Sequence, residues 1–359
     1  MGHEKIAIIG TGLIGGSLAK AIKKSNPGII ISAYDRPKIL RKAKEDESID
    51  IILEKFEDAV QSEIIFICLP VEESIKIFEK LLPLLNNNQI ITDTCSVKKV
   101  FEEIWESSGS KGIYIGGHPM TGKEKSGYEN SDSLLFENSI YILTDGRNSE
   151  EQTKRLSSLL EAIGSRVTFL DAAIHDKIVA EVSHLPQLVA TSLVNTVTDN
   201  DDLNVLNFAA GGFRDMTRIA SSPFDVWEPI IRKNKDKILN ALDSLREELE
   251  KVEKSIKEDD YRSLADKFES ARIRRDVIPK NTKGFISQLY DVFIYVKDQP
   301  GEMSKISTAL YDANINIKDI EVLKMREGTG GTFRLAFDSE KDAERAKKII
   351  ESIGFSTKI

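Results

Sequence analysis

The chain has 359 residues, of which 40% are hydrophobic and 30% charged, and its formal net charge is −8. That length exceeds one ordinary core, so two or three domains of a soluble globular protein are expected. The acidic balance gives nucleic-acid binding no electrostatic support, and no apolar run approaches the roughly 20 residues of a membrane span.

The N-terminus enters a strand with no signal-peptide pattern, so the expected location is cytoplasmic. Cys68 and Cys95 are too few for a disulfide framework or a metal site. Their apolar surroundings suit buried, reduced thiols, and no metal is expected.

Lys5 to Ile9 is a continuous apolar run of the kind found in buried parallel strands. Gly10-Thr11-Gly12-Leu13-Ile14-Gly15 follows, and then a helical pattern begins. Here Gly10 makes the tight turn, Gly12 admits a pyrophosphate, and Gly15 allows close helix packing. The helix start, with Leu13 and Ile14, faces the phosphates. A second strand, Ile29 to Tyr34, ends at Asp35, 20 residues beyond Gly15. A carboxylate there accepts hydrogen bonds from the adenine ribose and repels a 2′-phosphate, which predicts NAD. Arg36 beside it is ambiguous between holding NADP and stacking on adenine or sitting in solvent.

Strand and helix patterns then alternate through Glu63–Leu69, Val71–Leu85 and Gln89–Thr92. The last leads into Asp93-Thr94-Cys95-Ser96-Val97-Lys98. Ser96 reads either as an N-cap or as a hydroxyl at a strand end within reach of a substrate. The strand Ile113–Ile115 delivers His118 within Gly117-His118-Pro119-Met120-Thr121-Gly122-Lys123-Glu124. The carboxyl edge of an open α/β sheet is where ligands bind. Strands at Ile140–Leu143 and Arg166–Phe169 flank a helix, completing a doubly wound domain over residues 1–170.

From Asp171 the patterns are helical, and a middle domain is expected over 171–280. Its first long helix is softened at Ser183-His184-Leu185-Pro186-Gln187, where the proline frees backbone groups. His184 reads as a satisfied core histidine or as a functional one. Phe213-Arg214-Asp215-Met216-Thr217-Arg218 places two arginines four apart on one helix face. Like charges so close call for an anion, and Arg grips a carboxylate in bidentate fashion. Ile238, Leu242, Leu245, Leu249, Val252 and Ile256 form a heptad seam for helix packing, either within the chain or between subunits. Beyond a basic linker, residues 288–359 follow the order βαββαβ of a ferredoxin-like unit.

Taken together, these blocks resemble the prephenate dehydrogenase family of tyrosine biosynthesis, over the whole chain. The resemblance rests on the glycine block, on Asp93 to Lys98, on His118-Pro119-Met120-x-Gly122-x-Glu124 and on Ser183 to Pro186. Phe213-Arg214-Asp215-x-Thr217-Arg218 and Trp227 extend it. The C-terminal unit resembles an ACT domain through Asp298-x-Pro300-Gly301 and Asn314-Ile315-Asn316-Ile317.

The resemblance implies NAD-dependent oxidative decarboxylation of prephenate to 4-hydroxyphenylpyruvate. His118 is then the catalytic histidine, and Ser96 bonds it and the substrate hydroxyl. Arg218 holds a substrate carboxylate, while Glu124, Arg214, His184 and Trp227 belong to the same site. An aromatic amino acid, most simply tyrosine, would bind near Gly301 and Asn314, and the helical domain would form a homodimer. Many members carry a second histidine where this chain has Gln187, which removes one familiar contact. Three other readings stand beside this one. They are arogenate as substrate, a β-hydroxy-acid dehydrogenase with a lysine acid/base, and a non-catalytic amino-acid sensor.

Overall fold

The structure, a computed structural model, describes residues 4–123, 125–144, 150–198, 204–277, 289–326 and 330–358. Two compact units divide the chain, Met1–Glu269 and Ser270–Ile359.

In the first unit the elements run β1 (Lys5–Ile9), α1 (Leu13–Ser25), β2 (Ile30–Tyr34), α2 (Pro37–Glu45), β3 (Ile51–Ile52) and β4 (Ile64–Ile67). Next come α3 (Val71–Leu81), β5 (Ile90–Asp93), α4 (Lys99–Ser108) and β6 (Ile113–Tyr114). These six strands form one parallel sheet in the order β3-β2-β1-β4-β5-β6. Alternation along each strand feeds two separate cores. Ile6, Ile8, Ile64 and Phe66 point into one, while Ala7, Ile9, Ile65 and Ile67 point into the other. Both faces are therefore covered, as a parallel sheet requires. The order reverses between β1 and β4, and it is at the carboxyl ends of the strands beside such a reversal that open α/β sheets bind ligands.

The expected doubly wound domain departs from a single sheet after β6. A second, three-stranded sheet holds β7 (Gly117–Pro119), β8 (Ile140–Thr144) and β9 (Arg166–Leu170), with α5 (Glu150–Ala162) between the last two. Two glycines permit the sharp exit from β6. A Cβ on Gly117 would lie 2.6 Å from the Asp93 carbonyl oxygen, so the strand carrying His118 can approach the end of β5 only without one.

The helical part holds α6 (Ala172–Val179), a π-helical turn (Ala180–His184), α7 (Leu185–Thr198), α8 (Gly211–Thr217), α9 (Phe224–Lys233), α10 (Lys235–Lys257) and α11 (Tyr261–Val277). The predicted soft break is a widened turn rather than an interruption. Pro186 has no N–H to give the preceding turn, and the π turn before it keeps the rod continuous. Arg214 lies on α8, and Arg218 lies directly after it rather than on the same continuous α-helix. The α-helix stops at Thr217, whose hydroxyl donates to the Phe213 carbonyl, and Arg218 opens a tighter 3₁₀ turn. No helix among the described residues is long and apolar enough to cross a membrane.

The second unit contains β10 (Tyr290–Val296), α12 (Glu302–Asp312), β11 (Asp319–Arg326), β12 (Gly330–Phe337), α13 (Glu340–Ser352) and β13 (Ser356–Lys358). Its antiparallel sheet has the order β11-β12-β10-β13. Val292, Ile294, Leu335 and Phe337 line the face that α12 and α13 cover through Ile306, Leu310 and Ile350. This is the expected βαββαβ unit. The predicted hairpin tip at 327–329 and most of the predicted linker, 278–288, lie outside the described residues.

Candidate active site

The carboxyl edge of the parallel sheet gathers the sequence-predicted groups in order. The glycine loop leaves β1, Asp35 ends β2, Ser96 follows β5, and His118 follows β6. At the loop, a Cβ on Gly15 would sit 1.9 Å from the Gly10 carbonyl oxygen, so only glycine lets α1 pack this closely. Gly12 has a different reason. It precedes α1 with no side-chain cap, no acidic residue follows in the first turn, and a Cβ there would meet nothing within 4 Å. A small residue that the fold itself does not need, at an electropositive helix start, fits a pyrophosphate. Leu13 and Ile14 are half-buried in the first turn. The Asp35 carboxylate accepts from the Thr11 amide and the Arg36 amide, each at 2.6 Å, and so faces the loop with its charge fixed. The Arg36 guanidinium is exposed and lies 3.8 Å from that carboxylate.

His118 is held from several sides. Its backbone pairs with β8 opposite Ile142. The buried Lys98 ammonium donates to the neighbouring Gly117 carbonyl at 2.7 Å and is ion-paired with Asp93. Asp93 in turn accepts from the Tyr114 hydroxyl at 2.9 Å. Lys98, Asp93 and Tyr114 are all buried, so the charge pair is completed by hydrogen bonds rather than by water. Burial is the first cause holding His118 well below the ordinary imidazole range, and His175, Lys98 and His184 add to it. A neutral imidazole results, suited to accept a proton.

Sequence reasoning missed two residues in contact with this site. His175 Nε2 lies 2.8 Å from His118 Nδ1, and His175 Nδ1 lies 2.8 Å from Asp176 Oδ1. Asp176 also accepts the backbone amides of Lys98 and Lys99 at the start of α4, at 2.8 and 3.0 Å. A His-Asp pair at buried positions of a mostly apolar helix was the available signal. Its partner lies 57 residues away, and no local pattern spans that distance.

His184 is buried on the π turn, packed edge-to-face on Trp227 with ring centres 5.9 Å apart. Its Nδ1 meets the Asn234 amide at 3.3 Å, while Nε2 is buried and without a partner among the described residues. Burial pushes its pKa down to about 4. Half-buried Ser96 precedes α4 by two residues and is not its N-cap, a place taken by Lys98. That leaves the hydroxyl available at the strand end. Arg214 and Arg218 are exposed on α8 and the turn after it. That turn is tied to α7 by Gln187, whose amide donates to the Ile219 carbonyl at 3.0 Å. Gln187 is buried, so where a histidine was expected this chain has a structural strut. Glu124 lies outside the described residues.

In the second unit, Gly301 takes a left-handed conformation (φ 91°) immediately before α12, and Asn314 does so (φ 52°) just after it. The eleven residues of α12 separate them by about 16 Å at 1.5 Å per residue.

Three family models match the chain in sequence. They are the prephenate dehydrogenase nucleotide-binding domain over residues 18–169, the prephenate dehydrogenase dimerization domain over 171–270, and the ACT domain over 290–355. A prephenate dehydrogenase of Bacillus subtilis is 36% identical over 97% of this chain and 96% of its own. Among solved structures, prephenate dehydrogenase from A. aeolicus, in complex with hydroxyphenyl propionate and NAD+, superposes with a TM-score of 0.71. It is 29% identical and covers 77% of this chain and 99% of its own. Synechocystis arogenate dehydrogenase gives 0.69, also at 29% identity, over 76% of this chain and 99% of its own. With a dinucleotide cradle, a buried neutral histidine beside it and these relatives, the chain belongs to the prephenate dehydrogenase family and is an NAD-dependent oxidoreductase.

Proposed function

We propose that the enzyme oxidatively decarboxylates prephenate to 4-hydroxyphenylpyruvate, in the cytoplasm, and that an aromatic amino acid controls it through the C-terminal unit. The observation that carries the chemistry is His118, buried, held neutral and fixed at the carboxyl edge of the sheet. Bound NAD+ supplies the hydride acceptor. His118 takes the proton of the ring hydroxyl as the hydride leaves the carbon bearing it. Ser96 bonds that hydroxyl and holds it towards the imidazole. Arg218, with Arg214 four residues before it, grips and orients the substrate carboxylates, and Glu124 belongs to the same site. His184 and Trp227 form a wall against the substrate, and the unpartnered His184 Nε2 gives that wall one polar contact. Loss of carbon dioxide makes the ring aromatic and the reaction irreversible. Gly10, Gly12, Leu13, Ile14, Gly15 and Asp35 would hold the cofactor, with exposed Arg36 beside Asp35 at its adenine end.

The division of labour is 1–170 for the cofactor, 171–280 for substrate and dimerisation, and 288–359 for regulation. The working unit is a homodimer built on the helical part. A second substrate reading is favoured by one observation: an arogenate dehydrogenase shares the fold to nearly the same extent as a prephenate dehydrogenase. NADH formation measured with prephenate and with arogenate decides between them. Faster turnover of arogenate would overturn the substrate assignment.

For regulation, the amide groups at the start of α12, freed by Gly301, suit the carboxylate of tyrosine. Asn314 stands at the other end of that helix, about 16 Å away. Inhibition by tyrosine, compared between the full chain and a chain ending near residue 285, tests this. Equal inhibition of both would place tyrosine at the active site. A coupling of about 1–3 kcal/mol would be read as roughly 5- to 150-fold in affinity.

A further inference from the structure

His118 does not stand alone, and the chain of contacts behind it fixes where its proton sits. Asp176 accepts two amides at the start of α4, one on each oxygen. With both oxygens taking N–H donors, the carboxylate faces its other neighbours as an acceptor. His175 Nδ1, 2.8 Å from Asp176 Oδ1, therefore carries a proton. His175 is fully buried, and burial foremost lowers its pKa against the pull of Asp176, so at neutral pH its other nitrogen holds a lone pair. That lone pair faces His118 Nδ1 at 2.8 Å, which must then be the donor. His118 is left with a protonated Nδ1 and a bare Nε2.

We propose that His175 and Asp176 are positioning residues that lock His118 in the Nδ1–H tautomer and take over the charge when it accepts a proton. The proposal rests on the reading of His118 as the base. In the step, the substrate O–H bond breaks as an N–H bond forms at His118 Nε2. The Nδ1 proton passes to His175 Nε2, and His175 keeps its own Nδ1 proton on Asp176. The substrate's hydride, which carries the electron pair of the broken C–H bond, goes to NAD+, and one positive charge is held between His118 and Asp176. Loss of carbon dioxide leaves its bonding pair in the ring as a phenolate, and the same bonds return the proton from Nε2 to that oxygen, so the balance closes.

An imidazolium confined to His118 would be poorly placed. The charged or titratable groups around the pair are Lys98, Asp93, Tyr114, Asp176 and His184. Lys98 repels it, Asp93 is already paired with Lys98 and Tyr114, and His184 is neutral. Asp176 is the carboxylate connected to His118 by hydrogen bonds, and His175 is the connection.

Two measurements on the full chain with NAD+ bound test this. Histidine-labelled ¹⁵N spectra of the native protein should show His118 protonated at Nδ1 and bare at Nε2; the opposite tautomer overturns the proposal whether or not any variant folds. His175→Phe should lower kcat roughly 10- to 10⁴-fold, the range seen when a base loses its orienting partner. The KM for prephenate and NAD+ affinity should stay within about twofold, and the His118 signal should leave the Nδ1–H form. His175→Gln, which keeps an acceptor, should restore the tautomer and part of kcat. A His175→Phe enzyme with native kcat, alongside an inactive His118→Asn enzyme, overturns the relay and leaves the base. Native turnover in both variants overturns the base itself, and the relay with it.

Discussion

The α/β part and the helical part of the first unit treat apolar surface in opposite ways. Through β1, β4 and β5 every apolar side chain is buried, and the two faces of the sheet are sealed. In the helical part Phe208 is 80% exposed and Phe224 65%, with Met216, Leu249, Ile256 and Phe268 also outside. Exposed apolar surface on this scale marks an interaction site. The core of the parallel sheet is complete within the chain, whereas the helical part leaves apolar side chains exposed. The proposed substrate arginines lie on that exposed side and the proposed base on the complete one. Catalysis and substrate binding should therefore respond differently to damage.

The largest effect is expected on the complete side. His118→Asn should lower turnover by about 10²- to 10⁴-fold while NAD+ affinity is kept, because the fold around the dinucleotide does not depend on it. Native turnover would remove His118 from the chemistry. On the other side, Arg218→Ala should raise the KM for prephenate by about 2–5 kcal/mol of lost binding, with NAD+ affinity unchanged. If KM holds steady, the charge at the α8 exit is structural and Arg214 becomes the candidate.

Acid should loosen the joint between the parts. Unfolded imidazoles titrate near 6.5, while burial holds His184 at about 4. Between those pH values the unfolded chain binds a proton that the folded chain refuses, so stability falls as pH falls. For His184 alone the full loss is about 3 kcal/mol, at 1.36 kcal/mol per pH unit. His118 and His175 act in the same direction. Urea midpoints followed from pH 7 to pH 4 measure it, and a flat profile would mean these histidines are not buried as neutral groups. The same lowering places the acid limb of kcat/KM below 6.5, lower than an ordinary histidine would give.

The smaller effects separate the two parts further. Leu249→Lys should dissociate the proposed homodimer in sedimentation experiments yet leave NAD+ binding intact; a variant that still sediments as a dimer would move the interface off this seam, and a monomeric native chain would remove it. Asp35→Ser should narrow the preference for NAD+ over NADP+ by about tenfold, in line with loss of one charge–charge term of 1–2 kcal/mol. An unchanged ratio would shift cofactor choice to Arg36.

The sequence by itself determined the parts whose signals are local. A glycine block between an apolar run and a helix, with Asp35 at the next strand end, carries its meaning within 35 residues. Alternating apolar runs specified a sheet covered on both faces, and the βαββαβ order of the last unit was legible from period-two and helical patterns. Tertiary structure decided what depends on distant backbone meeting. It moved β8 and β9 into their own sheet, because Gly116 and Gly117 let the chain turn out of the first one. It ended α8 at Thr217 and put Arg218 on a 3₁₀ turn, where spacing alone had predicted one continuous helix. It also seated His175 against His118 and gave Asp176 the amides of α4. A buried polar residue and an exposed one look alike on a helical pattern. Only the packing of α6 against the start of α4 excludes water from this pair and makes each hydrogen bond obligatory.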